Sequence, residues 1–255
     1  MNPKSCAWIG ILCLVSAVCS RGAEEAIRVD DKPTIYVGAG AIVSSQPYIG
    51  ADTRTYVVPM FGYEGKRLYM RGIMGGYRVY SQGGFSIGPI IQPSFDGYEE
   101  EDSVALQGMD DRDWSIDAGV GAFWLTDIGL FGLSCVTDIL GEHDGQTLEF
   151  SYTLRFPLAG FDVIPSAGVR WESENRVDYY YGVRSDEAVL PSRPPYEASS
   201  AINPFVRLAV RRKLSERWTV LTALQYEWLD DEIGDSPIVD EHYDASVLLG
   251  VLYSW

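Results

Sequence analysis

The chain has only two histidines, and each lies next to carboxylates, in Glu142-His143-Asp144 and in Asp240-Glu241-His242. A carboxylate can orient an imidazole as a general base, which would suit a hydrolase. However, adjacent residues of a strand point to opposite faces, and an acidic segment places carboxylates beside any histidine by chance. We therefore predict no catalytic residue. A hydrolase that uses His143 or His242 is the least favoured alternative.

The other motifs with chemical potential are weaker. Cys135 lies in an apolar stretch without a histidine, and the sequence contains no Gly-x-Ser-x-Gly motif. Gly38-Ala39-Gly40 lacks the third glycine and the helix of a dinucleotide site. The acidic clusters lack the ligand spacing of an EF-hand loop. We predict neither a cofactor nor a metal site.

The net charge of −16 limits the classes of molecule that the protein can bind. It argues against nucleic acid, because the phosphates would be repelled. The chain is also rich in tyrosine, tryptophan and glycine, with 16, 7 and 26 residues. This composition and the chain length suit one β-domain that is larger than a small sandwich.

The elements that must position these residues have a two-residue period. In 243–255, large apolar side chains occupy one face, and small or polar ones such as Asp244 and Ser254 occur on the other. Aromatic residues, Tyr243 and Trp255, stand at both ends. Such a strand is typical of a position between lipid and an aqueous lumen.

The same alternation recurs in 114–125, 146–157, 202–212 and 217–229. Length supports this interpretation for the last segment, because Trp218 and Trp228 are about ten residues apart, or roughly 33 Å at ~3.3 Å per residue. Tilted by about 45°, the strand rises roughly 23 Å, which is close to the ~25 Å apolar band of an outer-membrane barrel.

We predict an all-β fold, a closed antiparallel transmembrane β-barrel of twelve strands. The less regular strands are expected at about 34–44, 53–63, 66–74, 76–81, 84–94, 129–140 and 162–172. Ten strands is the alternative, because the pair around Gly75-Gly76 is the weakest and bacterial barrels use even numbers. Each proline within a strand removes a ladder donor, and the sequence does not explain why four are tolerated, at Pro59, Pro89, Pro93 and Pro165.

Residues 1–22 are predicted to be a signal peptide that is cleaved after residue 20 or 22. Lys4 precedes an apolar run from Ala7 to Val18, which is short for a membrane-spanning helix, and small residues follow it. A short periplasmic segment, 23–33, then leads into a single barrel domain, 34–255.

The lengths of the connections set the predicted orientation. If the last strand ends in the periplasm, the short links face the periplasm, near 126–128, 158–161 and 213–216. The long links then face the exterior, at 95–113, 173–201 and 230–242. The first and last of these long links are strongly acidic. We interpret them as solvated, repelling loops, and the alternative is divalent-cation bridging to lipopolysaccharide phosphates.

The predicted lumen face is polar and carries charges of both signs. Its candidate residues are Asp117, Glu149, Arg155, Arg170, Arg207, Arg211, Gln225 and Glu227. Mixed charges can pair and plug a barrel, or they can line a narrow path. The sequence does not decide between the two, so a small-solute pore stays open as an alternative function.

Several short motifs follow one another in order: Tyr48–Asp52, Val58-Pro59, Gly76-Tyr77-Arg78, Gly88-Pro89, Ala105–Met109, Gly145 after His143-Asp144, Tyr179–Val183 and Gly234–Val239. This order resembles the MltA-interacting protein family, also called MipA/OmpV. The resemblance covers nearly all of the predicted mature chain. The chain departs from the family at its end, where Trp255 replaces the usual Phe or Tyr and Ser254 is uncharged.

The resemblance implies an outer-membrane location and a non-enzymatic envelope scaffold that links a murein transglycosylase to a murein synthase. It brings no catalytic residues. The location implies contact with outer-membrane lipid and lipopolysaccharide. The resemblance also implies that the barrel-assembly machinery recognises the last strand, and we expect its signal in Leu249, Val251, Tyr253 and Trp255.

Overall fold

The computed structural model describes residues 33–189 and 191–255. The predicted signal peptide and nearly all of the predicted periplasmic segment lie outside the described residues. The strands are β1 Thr34–Ser44, β2 Arg54–Glu64, β3 Leu68–Arg71, β4 Met74–Tyr77, β5 Tyr80–Gln82, β6 Phe85–Ser94, β7 Ser115–Thr126, β8 Gly129–Asp138, β9 Gln146–Thr153, β10 Phe156–Leu158, β11 Phe161–Glu172, β12 Ala201–Lys213, β13 Trp218–Trp228 and β14 Tyr243–Ser254. The helices are α1 Glu174–Tyr181 and α2 Asp231–Gly234, with 3-10 turns at Glu100–Asp102 and Val104–Leu106.

These strands form twelve positions in the wall of a barrel. β4 and β5 both pair with β6, and β9 and β10 both pair with β11, so each of these two pairs is one interrupted wall strand. The ring closes through antiparallel pairing of β14 with β1 and of β9 with β11. The predicted all-β fold, a closed antiparallel barrel with twelve rather than ten strands, is confirmed.

The weakest predicted boundary, around Gly75-Gly76, lies in the wrong place. Both glycines belong to β4, and the turn between β3 and β4 is at Gly72-Ile73. Gly72 has a φ of 65°, a left-handed conformation that glycine adopts without steric cost. The sequence offered three nearby glycines, and only the backbone conformation distinguishes the one that turns.

Pro165 accounts for the interruption between β9 and β10. Its carbonyl accepts a hydrogen bond from the Leu154 N–H at 2.9 Å. Proline has no N–H with which to complete this pair. The ladder therefore fails at Leu154 and Arg155, although the register of β9 and of β10 on β11 is the same.

The two faces of each wall strand differ in burial. On β12, Val206 and Leu208 are exposed, whereas Phe205 and Arg207 are buried. In a closed barrel the buried face is the interior, so Val206 and Leu208 face outward, and Phe205 and Arg207 face inward. Among the residues that the structure describes, neither helix is long and apolar enough to cross a bilayer.

Short and long connections lie at opposite ends of the barrel. The short-turn end contains the links 65–67, 83–84, 127–128, 159–160 and 214–217. The long-loop end contains 45–53, 95–114, 139–145, 173–200 and 229–242. The Gly72-Ile73 turn points the same way, but it lies beside Phe61, and β2 extends beyond it to Arg54. Inside, an apolar cluster covers the wall formed by β1, β2 and β11 to β14, with Tyr36, Ile42, Val58, Met60, Ile164, Ala209, Leu221, Ala223, Leu248 and Leu252.

Candidate functional site

A charged network lines the interior of the barrel along four neighbouring wall strands, β9, β11, β12 and β13. Arg170 of β11 donates to Glu227 of β13 at 2.8 Å and to Glu149 of β9 at 3.1 Å. Arg207 of β12 donates through both terminal nitrogens to Glu149, at 2.9 and 3.0 Å, and through Nε to Gln225 at 2.9 Å. Five of the eight candidate lumen residues therefore form one connected cluster, in which each arginine contacts a carboxylate from another strand.

The other three candidate residues lie in two separate groups. Asp162 bridges Arg155 at 3.0 Å and Arg211 at 3.5 Å, and Arg155 and Asp162 remain partly exposed near the short-turn end. Asp117 is buried on β7 towards the long-loop end, 3.4 Å from Arg176. The alternation of the strands gives no information about these pairings.

Arg176 is the residue that sequence reasoning missed. It lies on α1, inside the long 173–200 connection, and its side chain is only 7% exposed. It donates to Glu172 and to Ser94 Oγ, both at 2.8 Å, and it also pairs with Asp96. No two-residue period marks a loop arginine, so the sequence carries no signal for it. Burial alone would lower the pKa of Arg176, but the carboxylates of Asp96 and Glu172 outweigh burial and raise it.

The long connections fold over the barrel as a loop cap. Its apolar core comes from four different connections, with Tyr48, Tyr98, Leu106, Met109, Val183, Ile238 and Val239. Tyr48 contacts Tyr98 edge-on with ring centroids 4.8 Å apart, and it stacks on Tyr181 at 5.8 Å. Such aromatic pairs stabilise packing beyond the area they bury. The connections are therefore a packed layer, and they are not independent loops.

A buried ion pair joins two connections of the loop cap. Arg112 contacts Glu187 at 2.9 Å, and both side chains are almost fully buried. Burial would raise the pKa of Glu187, but hydrogen bonds from the Arg184 N–H and from the Arg112 guanidinium outweigh it and lower the pKa. A carboxyl whose pKa is lower in the folded than in the unfolded protein stabilises the fold at neutral pH, and this contribution is lost as the pH falls through the lowered pKa.

The acidic connections differ from the prediction of solvated, repelling loops. Asp96 pairs with Arg176, Asp102 pairs with Arg54, and Asp110 contacts Arg184 at 2.8 Å. In the 95–113 connection, Asp96 and Asp102 are thus mostly buried ion-pair partners, whereas the Asp110 pair is exposed. Their basic partners come from distant parts of the chain, and that is why a local charge count concealed the pairing.

His143 takes part in the only cluster with metal-ligand types among the described residues, which also contains Asp117 and Asp138. His143 Nδ1 accepts a hydrogen bond from the Gly145 N–H at 3.0 Å. The proton of a neutral ring is then on Nε2, which leaves no lone pair there for a metal. Nε2 also lies 3.2 Å from the Arg176 guanidinium, whose charge would repel a cation. The cluster therefore suits the ordering of a loop better than the binding of a metal.

Asp138 shows that ordering directly. Its carboxylate accepts hydrogen bonds from the N–H groups of Leu140 and His143, both at 2.8 Å, and from the Ser115 hydroxyl. The carboxylate thus holds the 139–145 connection in place at the end of β8. His242, the second histidine, is exposed next to α2.

The sequence of this chain is similar to known outer-membrane proteins. Residues 37–255 match the protein family described as MltA-interacting protein MipA. The MltA-interacting protein of Escherichia coli K12 is 29% identical over 221 residues, which covers 86% of this chain and 89% of the relative. The outer membrane protein OmpV of Vibrio cholerae is 27% identical over 183 residues, or 71% of this chain and 70% of the relative.

Among solved structures, the COG4313 outer membrane channel from Pseudomonas putida F1 aligns with 91% of this chain and 98% of its own chain. The TM-score is 0.46 at 10% identity, which is too low to carry a functional argument. The family match, in contrast, covers most of β1, all of β2 to β14 and all of the long connections. On that match and on its closed β-barrel, the chain belongs to the MltA-interacting protein family and is a protein of the bacterial outer membrane.

Proposed function

We propose that this protein is a non-enzymatic envelope scaffold that binds murein-remodelling enzymes, a transglycosylase and a synthase, on the periplasmic side of the outer membrane. The observation that carries the proposal is a filled barrel. Arg170 and Arg207 join β9, β11, β12 and β13, four neighbouring wall strands, on the inner face. Arg176 joins the ends of β6, β7 and β11 inside the barrel, and the loop cap covers the long-loop end. A barrel built in this way presents surfaces at its ends and gives little room for passage.

The size of one cavity inside the barrel favours a plugged barrel over the alternative of a pore. The cavity between the network and the loop cap has a volume of about 30 Å³, and its lining includes Asp96, Arg170, Arg176 and Glu227. That volume suits about one water molecule. A solute would have to separate Arg170 from both of its carboxylates before it could pass.

The surroundings of the histidines support a non-enzymatic role over a barrel-rim hydrolase. The ring of His143 is fully buried, and it contacts Asp117, Arg176 and the Gly145 N–H. A general base must lie within hydrogen-bond reach of the group that it deprotonates. The described contacts of His143 place no serine, threonine or cysteine at that distance.

The short-turn end offers the surface for a partner. Ile128 and Leu214 lie in two of its turns, and Leu158 directly precedes a third turn. All three side chains are largely exposed. A contiguous patch of exposed apolar side chains marks a contact site between proteins, and we propose that these three residues contribute to one. The relative in Escherichia coli is named for its interaction with MltA, and we extend that type of partner, a murein transglycosylase, to this chain.

In-cell photo-cross-linking tests this proposal. A photoreactive amino acid at Asp127 or Glu216, both exposed at the short-turn end, is expected to trap murein enzymes. The same amino acid at Asp111 or Asp186, which are exposed in the loop cap, is the matched control and should not trap them. Adducts that arise only from the loop cap, or stable conductance steps of the purified protein in planar bilayers, would exclude the scaffold.

The last strand is our candidate for recognition by the barrel-assembly machinery. Leu249, Val251 and Trp255 are exposed on its outer face. The ring of Tyr253 lies 5.1 Å from Trp218 and 5.3 Å from Trp255, centroid to centroid. These rings form an aromatic belt at the short-turn end, where aromatic side chains are favoured at a membrane interface.

Trp255→Asp is expected to leave secretion intact and to reduce the amount of folded protein in the outer membrane. A carboxylate replaces the interfacial ring in this variant, whereas Trp255→Phe keeps an aromatic ring and should behave like the parent. The measurement is the folded, heat-modifiable band in outer-membrane fractions. Parental levels of Trp255→Asp would show that this side chain is not part of an assembly signal.

A further inference from the structure

Basic side chains are concentrated at the short-turn end, although the chain has a net charge of −16. The basic residues there are Lys66, Arg67, Arg71, Arg78, Arg155, Arg211, Arg212, Lys213 and Arg217. Acidic side chains are fewer at this end of the described barrel, at Glu64, Asp127, Asp162 and Glu216. The short-turn end therefore has a local excess of positive charge, which attracts anionic groups.

Three of these side chains form a first arginine cluster on the inner face of the wall. Arg71 of β3 contacts Glu64, the last residue of β2, at 3.0 Å, and Arg78 pairs with the same carboxylate. Both guanidinium groups also lie 4.6 Å from the centre of the Tyr69 ring. The three charged side chains together carry a net positive charge, and the tyrosine ring holds the two arginines in place.

A second arginine cluster has the same composition. Asp162 of β11 contacts Arg155 at 3.0 Å and Arg211 of β12 at 3.5 Å. Arg155 lies at the interruption between β9 and β10, just as Arg78 lies at the interruption between β4 and β5. The second cluster thus also combines two guanidinium groups with one carboxylate, and it also carries a net positive charge.

The two arginine clusters face each other across the barrel. The middle strand of the first cluster is β3, and the middle strand of the second is β11. These two strands are six positions apart in the ring of twelve, so they lie on opposite walls. Twelve spacings of ~4.8 Å between strands tilted by about 40° give a diameter of roughly 24 Å. The arginines point inward from both walls, so the gap between the clusters is shorter than this diameter.

An acidic stretch of the chain leads into the same end of the barrel. Residues 23–33 precede β1 and contain two acidic pairs, Glu24-Glu25 and Asp30-Asp31, together with two basic residues. Asp31 is three residues before Thr34, which begins β1 and lies opposite Glu64 in the β1–β2 ladder. Three residues span at most about 11 Å. The second acidic pair is therefore tethered beside the first arginine cluster.

The spacing of the two acidic pairs matches the gap between the two clusters. Glu25 and Asp30 are five residues apart, and Glu24 and Asp31 are seven residues apart. An extended chain of that length spans about 17 to 24 Å. With Asp30-Asp31 at the first cluster, Glu24-Glu25 can thus reach the second cluster on the opposite wall.

We propose that residues 24–31 bind across the mouth of the barrel at the short-turn end, as an acidic bridge between the two arginine clusters. Asp30 or Asp31 contacts the first cluster, and Glu24 or Glu25 contacts the second. The bridge closes this end from within the same chain, while the loop cap covers the other end. It needs these residues to stay on the mature chain, as the predicted cleavage after residue 20 or 22 leaves them, and it does not rest on the proposed scaffold function.

Zero-length cross-linking of the purified mature protein tests the acidic bridge. A carbodiimide joins a carboxylate to an amine only where the two groups are in contact. The chain after residue 22 has three lysines, at Lys32, Lys66 and Lys213. Lys66 is exposed two residues from Glu64, and Lys213 is exposed two residues from Arg211. Peptide mass spectrometry of the monomer is expected to find Asp30 or Asp31 joined to Lys66, and Glu24 or Glu25 joined to Lys213.

Two variants test the role of the second cluster. Arg155→Gln removes one of its guanidinium groups and is expected to lower the yield of the Lys213 link several-fold, with the Lys66 link unchanged. Arg212→Gln is the matched control, because Arg212 follows Arg211 but faces outward over the ring of Phe161. It should give both links at the parental yield. Heat-modifiable migration on a gel first shows that each variant is folded, and if Arg155→Gln does not fold, the links of the parent decide.

Several results would overturn the acidic bridge. Neither link in the parent, while Lys66 and Lys213 still couple to added acetate, would show that residues 24–31 lie elsewhere. A Lys66 link without a Lys213 link would leave the segment at one cluster and contradict a bridge. Links confined to cross-linked dimers would show that a second copy supplies the segment. Equal yields of the Lys213 link from Arg155→Gln and Arg212→Gln would show that the second cluster does not bind it.

Discussion

Arg176→Met is expected to destabilise the long-loop end of the barrel by about 3–5 kcal/mol, the usual cost of removing one partner from a buried ion pair. Arg176 is the shared partner of Asp96 and Glu172, and it lies 3.4 Å from Asp117. Methionine keeps much of the volume, but it leaves three carboxylates close together without their cation. Urea unfolding in detergent micelles, followed by tryptophan fluorescence, measures the change in the free energy of unfolding.

The matched control is Arg184→Met in the same connection. Arg184 also contacts a carboxylate, Asp110, at 2.8 Å, but both side chains are more than half exposed. Exposed pairs contribute about 0–1 kcal/mol, so this variant should unfold almost like the parent. If both variants lost the same stability, burial would not be what makes Arg176 important, and the loop cap would be held mainly by its apolar core.

Val206→Arg is expected to damage membrane assembly more than Arg207→Ser. Val206 is exposed on the outer face of β12, where an arginine near the middle of the bilayer costs about 2–4 kcal/mol. Arg207 is buried on the inner face, and its loss leaves Glu149 still paired with Arg170 at 3.1 Å. The fraction of each variant that folds into liposomes, measured by the band shift of unboiled samples, gives the comparison.

Val206→Leu is the control for a change of side chain on the outer face, and it should assemble like the parent. The prediction depends on register, because a shift by one residue exchanges the two faces of a strand. Better assembly of Val206→Arg than of Arg207→Ser would therefore contradict the inward position of Arg207, and with it the network that fills the barrel.

The sequence alone determined the class of fold and the positions of most of its strands, apart from the β3–β4 turn. The two-residue period of 217–229 and 243–255 requires one lipid-facing and one polar side, and a long row of such strands is stable in a membrane only as a closed barrel. The lengths of the connections distinguished the two ends of the barrel, because a tight hairpin needs few residues. These properties are local, so they can be recognised in the sequence alone.

Only the tertiary structure decided what the interior does. Alternation shows that Arg170 and Glu227 each lie on the inner face of their strand, but their contact joins residues 57 positions apart in the chain. It exists because β11 and β13 both pair with β12, in a register that brings the two side chains together. Arg176 is more extreme, since it reaches the interior from a helix in a loop. No period in the sequence marks such a position.

Register also decided the meaning of the prolines. Pro59 and Pro165 look alike in the sequence, because each lies in a strand and lacks an N–H. In the structure Pro165 faces Leu154 and interrupts the ladder there, whereas Pro59 faces an edge that no described strand covers. The effect of the missing proline N–H depends on the strand that lies next to it. The sequence does not specify that neighbour, because the neighbours of each strand are set by the fold of the barrel.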